Sequence, residues 1–491
     1  MDGSAQTGQA DPKLTLWQKI GYGLGDIYGG GSGVVIGFYY LIFLTDVVRI
    51  SPALAGTVIL ISKIYDSITD PFEGVLSDRT RTLLGRRRPY LLFGIPFVFL
   101  SFFALFYPVN LSSETARFLY VIAAYLFFST VVSIVMLNYN ALQAELTLDY
   151  HERTSLSTVR IFFSTAASIV AALVPLEIVK AFPDVRQGYI VMGLAFGLFF
   201  ALPLVATVAA ARERKEFQKP PTKFIWRESF VEPFRMRTFV YALLMYLFAF
   251  VAIDAVSSIV IYYVKYYLQR GSEANYVSGA LLVFQVISLP FYAALSRRTS
   301  KRVGFLVGVV IWAAAMLLSF LVAPGGPFLA MYIFAAVVGL GTGGVVVMIY
   351  AIFPDIPDVH ELATGERREA IYSSLITLFR KFSSALALFA VSNVIGWAGY
   401  VRPLEQVVGG ASRLVDQPQS AAFLLVLRVI FAVLPLLLLV GSTWFAWRYP
   451  LTPALHRRLN TYLARQRSGA PQTGDSRAEQ NELMRVLISG E

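Results

Sequence analysis

The sequence contains no cysteine, three histidines, and only 15% charged residues along its 491 positions. Without cysteine there is no disulfide, no thiolate metal site and no cysteine nucleophile. His151, His360 and His456 fall far apart in connections and tails, a spacing that predicts no histidine metal cluster. The first sixteen residues, MDGSAQTGQADPKLTL, lack a basic region with an apolar stretch behind it. A cleaved signal peptide is therefore not expected, and the first apolar segment itself directs insertion. The glycine run GGGSG at 29–33 follows no strand and leads to no GKS or GKT, so a phosphate-cradling nucleotide loop is excluded. No nucleophile and base, metal cluster or nucleotide loop can be assembled, which disfavours an enzyme and predicts no cofactor.

Apolar residues are what the chain has in excess, at 56% of the sequence. They gather into blocks of about twenty, long enough to cross a hydrocarbon core as helices. Twelve such spans are expected, at 17–45, 54–78, 90–108, 116–146, 157–179, 188–211, 238–268, 275–296, 302–323, 328–353, 370–397 and 421–447. Arginine and lysine concentrate in alternate connections. Arg79, Arg81, Arg86, Arg87 and Arg88 follow span 2, and Arg297, Arg298, Lys301 and Arg302 follow span 8. These connections are expected to face the cytoplasm, together with both termini. The same asymmetry accounts for the net charge of +11, so no nucleic-acid partner is inferred.

One long charged segment, 212–237, divides the spans six and six. The expected organisation is an N-terminal tail at 1–16, a six-helix half at 17–211, the central loop, a second six-helix half at 238–447 and a C-terminal tail at 448–491. An internal repeat supports the division. PFEGVLSDRT at 71–80 and PFYAALSRRT at 290–299 share six of ten residues, each at the end of the second span of its half. An all-α membrane protein with two six-span halves in a parallel repeat is the plan of major facilitator transporters, whose substrate sites lie between the halves near the bilayer midplane.

The charges inside the spans are the candidate functional groups. Lys63, Asp66, Asp70 and Glu73 fall within an arc of about 80° at roughly 100° per residue, so one stripe of span 2 is ionisable. Such a stripe cannot face lipid, because each mid-membrane charge costs roughly 2.5 to 3.5 kcal/mol on insertion scales. A static pair with Lys63 is one reading, and it leaves two carboxylates over. The other is a cation site. Asp66 and Asp70, stacked on adjacent turns, hold Na⁺ with the hydroxyls of Thr69 or Ser133, or take up a proton because close carboxylates raise one another's pKa. The residues do not choose between the two ions, and no metal beyond Na⁺ is implied. Asp26 in span 1 and Asp254 near the centre of span 7 are further candidates, the latter for substrate binding or gating. Asn138, Asn140 and Gln143 offer amides on span 4, either to a hydroxylated substrate or to neighbouring helices.

The segment YDSITDPFEGVLSDRTRTLLGRRRPYLLFG at 65–94 resembles the signature of the glycoside-pentoside-hexuronide:cation symporters, the melibiose permease family within the major facilitator superfamily. YGLGD at 22–26, YNALQAELTLDYHERTSLSTVR at 139–160 and the stretch from IPDVHELATGERREAIY at 356–372 to NVIGWAGY at 393–400 resemble that family in the same order. The resemblance implies symport of a glycoside, oligosaccharide or uronide with H⁺ or Na⁺ by alternating access. It implies that Asp66 and Asp70 bind the cation and adjoin the sugar, that Lys381 of span 11 lies close to them, and that Arg160 contributes to the cavity or its cytoplasmic gate. Of the adjacent Arg380 and Lys381, the resemblance selects Lys381 as the mobile countercharge. Members of the melibiose type place acidic sugar ligands where this chain has Gly30 and Met136, and a stacking aromatic where it has Asn140. Two alternatives use the same scaffold: a carrier of an amphiphile such as a lysolipid or cell-wall fragment, and a non-transporting sensor.

The arginine-rich loop suggests a cytoplasmic latch. Asp78, Arg79 and Arg86 to Arg88 are expected to engage acidic partners such as Asp355, Asp358 or Glu361. In the tail, ALHRRLNTYLARQR at 454–467 separates leucines from arginines, as a helix on the anionic inner leaflet would. Residues 467–477 read as disordered, and AEQNELMRVLISGE as a short terminal helix. The expected setting is the bacterial inner membrane, with lipids and a small sugar as partners and the monomer as the functional unit.

Overall fold

The computed structural model describes residues 14–147, 150–211, 213, 231–365, 369–468 and 474–489. Ten helices among them are long and apolar enough to cross a membrane, from Arg88–Leu105 to Ala421–Arg448. The first two expected spans are not among the ten. Span 1 is interrupted at Gly25 into α1 (Leu16–Leu24) and α2 (Asp26–Val35), then widens into π turns at Ile36–Tyr40 and Phe43–Val48. Span 2 is one unbroken helix, α3 (Pro52–Arg79), and the ionisable stripe lowers its hydropathy. The chain continues as α4 (Arg88–Leu105), α5 (Glu114–Leu146), α6 (Tyr150–Lys180) and α7 (Val185–Ala210). After the central loop come α8 (Arg237–Tyr262), α9 (Ala274–Arg298), α10 (Lys301–Leu318) and α11 (Phe328–Ile352). A short α12 (Ile356–Thr364) precedes α13 (Glu369–Trp397), and the last span is α14 (Ala421–Arg428), a π turn and α15 (Leu434–Arg448).

The residues group into two compact units that do not follow chain order strictly. Unit 1 is Met1–Ile36, Ile64–Pro221 and Glu405–Val415; unit 2 is Gly37–Lys63, Thr222–Leu404 and Asp416–Glu491. The core of unit 1 is aromatic: Phe102 meets Phe200 edge-on at 4.9 Å, and Tyr28 lies 5.8 Å from Phe200. Glycine lets span 1 approach α6, because a Cβ on Gly30 would stand 2.3 Å from Ser164 Oγ and 2.5 Å from the Ser164 carbonyl oxygen. In unit 2, α11 packs against both α9 and α10, and Tyr263 stacks on Phe431 at 3.9 Å. Close backbone approach through small residues is how helices associate where lipid supplies no hydrophobic drive.

Among the described residues, a short two-stranded sheet lies between the last two spans. Strands β1 (Leu404–Val408) and β2 (Ala411–Val415) form a hairpin whose turn is Gly409-Gly410, both with positive φ, as a two-residue hairpin turn requires. The hairpin belongs to unit 1, where Glu405 takes a two-pronged contact from Arg186 at 2.6 and 2.9 Å.

The tail is also more ordered than its composition suggests. It forms α16 (Pro453–Arg467) and α17 (Gly474–Met484), so 474–477 is helical; 469–473 lies outside the described residues. Leu459, Tyr462 and Leu463 are buried in unit 2 against α12. The apolar face expected to lie on the leaflet is thus covered by protein, and α12 is among the helices that pack against α16.

Candidate functional site

Within unit 1, the ionisable stripe of α3 meets a ladder of hydroxyls on α5. Ser129 Oγ donates to Asp66 Oδ1 at 2.5 Å, and one turn later Ser133 Oγ donates to Asp70 Oδ1 at 2.5 Å. Asp66 is 2% exposed, whereas Asp70 is half-buried. Each aspartate is therefore held by a serine on the facing helix. Thr69 donates to the Tyr65 carbonyl of its own helix at 3.1 Å, and Tyr65 bonds Thr130 at 3.0 Å. Ser129 escaped sequence reasoning. The signal was present, since Ser129 and Ser133 share the four-residue spacing of Asp66 and Asp70.

A second cluster of unit 1 joins three spans. Arg160 of α6 contacts both oxygens of Asp26, at 3.0 and 3.2 Å, and donates to Gln143 of α5 at 2.9 Å. Gln143 continues to Ser157 at 2.6 Å. The guanidinium lies 5.1 Å above the ring of Tyr139, which itself stacks on Tyr22 at 4.6 Å. Asn140 is exposed beside this cluster, while Asn138 is buried and accepts from Ser77. The amides of span 4 thus divide: Asn138 and Gln143 bind neighbouring helices, and Asn140 stays available.

Unit 2 repeats the arrangement with its own residues. Arg380 of α13 grips Asp254 of α8 at 2.5 and 2.7 Å and lies 4.9 Å over the ring of Phe250. Lys381, the next residue, is half-buried. Span 1 with span 5 and span 7 with span 11 are equivalent under the internal repeat, so each half carries an aspartate of its first helix bound by an arginine of its fifth.

Several of the latch residues have partners inside their own units. Arg86 and Arg87 share Glu145 at 2.5 and 3.3 Å, and Arg88 donates to the Val208 carbonyl at 2.7 Å. The backbone N–H groups of Arg86, Arg87 and Arg88 all point at the Glu213 carboxylate, at 2.5 to 2.8 Å, which caps the start of α4. Arg79 is exposed, and the side chain of Asp78 lies outside the described residues. In unit 2, Asp355 pairs with Lys301 at 2.6 Å, and Asp358 lies 3.4 Å from His456.

One further cluster had no counterpart in the sequence reading. Asp46, 3% exposed, accepts from Lys265 and Tyr266 at 2.9 Å each, from Thr45 at 2.8 Å and from Tyr400, while Lys265 also reaches Asp416 at 2.8 Å. Burial first, and the Asp46 carboxylate next, push the Tyr400 phenol well above its ordinary value, so it remains a neutral donor. Asp46 and Lys265 stand 219 positions apart at the ends of spans, where charge reads as ordinary loop.

Comparison with known proteins adds to this geometry. The profile of a family described as MFS/sugar transport protein matches residues 21–453. The chain is 29% identical to the uncharacterized symporter sll1374 of Synechocystis, over 93% of this chain and 98% of that protein. It is 26% identical to the putative glycoside/cation symporter YagG of Escherichia coli, over 93% and 96%. It is 22% identical to the sodium-dependent lysophosphatidylcholine symporter 1 of Gallus gallus, over 94% and 92%. Among solved structures the nucleoside transporter NupG aligns with a TM-score of 0.57 and 14% identity, covering 88% of this chain and 97% of that one, which shows the fold.

Proposed function

The chain belongs to the MFS/sugar transport protein family, and from that premise we propose that it carries a glycoside or related small sugar across the membrane together with a cation. It is an integral membrane protein and a secondary transporter of the major facilitator fold. The observation that supports cation coupling is the doubled ladder of unit 1, in which Asp66 and Asp70 on one helix face Ser129 and Ser133 on the next. Four hard oxygen groups in a membrane-embedded pair of turns suit Na⁺, and a buried carboxylate equally suits a proton.

In this reading Asp66, Asp70 and Ser133, with Thr69 in support, hold the ion. Asp26, Asn140, Arg160, Asp254 and Lys381 offer polar contacts to the sugar. Asp78, Arg79, Arg86 to Arg88, Asp355 and Asp358 govern the cytoplasmic gate. The bacterial inner membrane, cytoplasmic termini and a monomeric working unit complete the proposal. Match to a lysophosphatidylcholine symporter over nearly its whole length supports a second reading, an amphiphile as the cargo.

Reconstitution into liposomes under imposed Na⁺ or pH gradients tests both. Labelled methyl glycosides, methyl-β-D-glucuronide and lysophosphatidylcholine are offered in parallel. Cation-driven accumulation of a sugar that is lost in Asp66→Asn and Asp70→Asn supports the first reading. Normal accumulation in both variants would overturn the coupling site, and uptake of the lysolipid alone would select the second reading.

A further inference from the structure

The C-terminal tail of the described chain is a docked element with two kinds of hold on unit 2. Its first helix, α16, buries Leu459, Tyr462 and Leu463, and α17 and the turn after it bury Leu483 and Leu487. Thr238, at the start of α8, donates to the Leu487 carbonyl at 2.6 Å, and Gln480 donates to the Leu362 carbonyl of α12 at 3.3 Å. The two tail helices are tied together by Arg458 and Glu482 at 2.8 Å, a contact that holds the Glu482 carboxyl below its ordinary value.

The polar hold is on the carboxylates of α12. Arg467 closes on both oxygens of Glu361, one of them at 2.7 Å. His456 lies 3.4 Å from Asp358 and 3.9 Å from Asp355, and Asn460 stands 3.2 Å from the same histidine nitrogen. Asp358 and Glu361 are each 8% exposed, and His456 and Arg467 of the tail are among the groups set against them.

We infer that the tail is a built-in clasp on α12, which withholds Asp358 and Glu361 from the cytoplasmic gate until it undocks. The docking follows from the contacts alone; the consequence for gating rests on the reading of these carboxylates as latch residues. A docked tail then favours a gate open to the cytoplasm, because the partners that would close it are occupied. Removing the tail frees them and favours the closed gate.

Hydrogen exchange and thiol labelling separate the two parts, and neither needs a transported substrate. Purified full-length chain is compared with a chain ending at Pro450. Exchange over 356–364 is expected to be at least tenfold faster in the shortened chain, with Phe328–Ile352 unchanged. Arg467→Glu in the full-length chain should move 356–364 in the same direction, and Glu361→Arg added to it should restore slow exchange. Equal exchange with and without the tail, or no effect of Arg467→Glu, overturns the clasp. Since the sequence has no cysteine, Asn140→Cys gives one labelling site. In inside-out vesicles a membrane-impermeant maleimide should label it at least threefold more slowly after tail removal. Unchanged or faster labelling overturns the gating role. Failure of the Asp66 and Asp70 coupling site would leave all of these results untouched, so the two proposals fail separately.

Discussion

Arg380 donates to Asp254 through both terminal guanidinium nitrogens, at 2.5 and 2.7 Å, between the fifth and first helices of the second half. Arg160 and Asp26 make the matching contact in the first half, at 3.0 and 3.2 Å. Breaking a partly buried pair leaves one charge uncompensated, which costs about 3 to 5 kcal/mol, whereas replacing both partners by apolar residues of similar size is often near neutral. Arg380→Met and Asp254→Leu should each lower the thermal midpoint in detergent, and the double variant should recover most of the loss. Additive losses in that cycle would show that the pair does not act as a unit.

The serine ladder predicts graded effects on the cation. Hydrogen bonds to charged groups contribute about 1.5 to 3 kcal/mol, so with Na⁺ as the coupled ion Ser129→Ala and Ser133→Ala should each weaken its apparent affinity by about tenfold or more. Thr69→Ala should do less, because its hydroxyl is held by the Tyr65 carbonyl. Uptake measured against cation concentration gives the order, and an equal effect at all three positions would refute the ladder.

Gly30 and Gly33 test the helix approach in opposite senses. A Cβ at Gly30 would meet Ser164, whereas one at Gly33 meets nothing within 4 Å. Gly30→Ala should cost about 1 to 3 kcal/mol by overpacking. Gly33→Ala should be neutral or stabilise by about 0.5 to 1 kcal/mol, since alanine restrains the unfolded chain. Melting curves of the two variants decide the matter.

The Asp46 cluster should behave as one unit. Tyr400→Phe removes a donor to a buried carboxylate and should cost about 1.5 to 3 kcal/mol. In an Asp46→Asn background the same change should cost much less, because the acceptor no longer carries charge. A double-variant cycle with no coupling would separate Tyr400 from the cluster.

Much of the site was legible because membrane chemistry makes charge conspicuous. Asp66 and Asp70 stood out since an apolar span has no structural use for two carboxylates, and Ser133 was within reach of them on span 4. Ser129 shares the four-residue spacing of the aspartates with Ser133, but an uncharged hydroxyl stands out less in an apolar span than a carboxylate does. The pairing of Arg380 with Asp254 was not legible, because which of two adjacent cations meets a given carboxylate depends on a neighbouring helix.

What the sequence by itself determined was the solvent and the plan: blocks of apolar residues of bilayer length, a charged divide between two repeated halves, and carboxylates that lipid cannot surround. Tertiary structure alone decided which groups meet. Asp46 finds Lys265 from 219 positions away, and the tail leucines turn to α12 instead of the leaflet. Periodicity and composition are properties of short windows, so they fix what a helix face is made of. The partner of that face is set by packing between segments far apart in the chain, where every neighbouring element takes part in the choice.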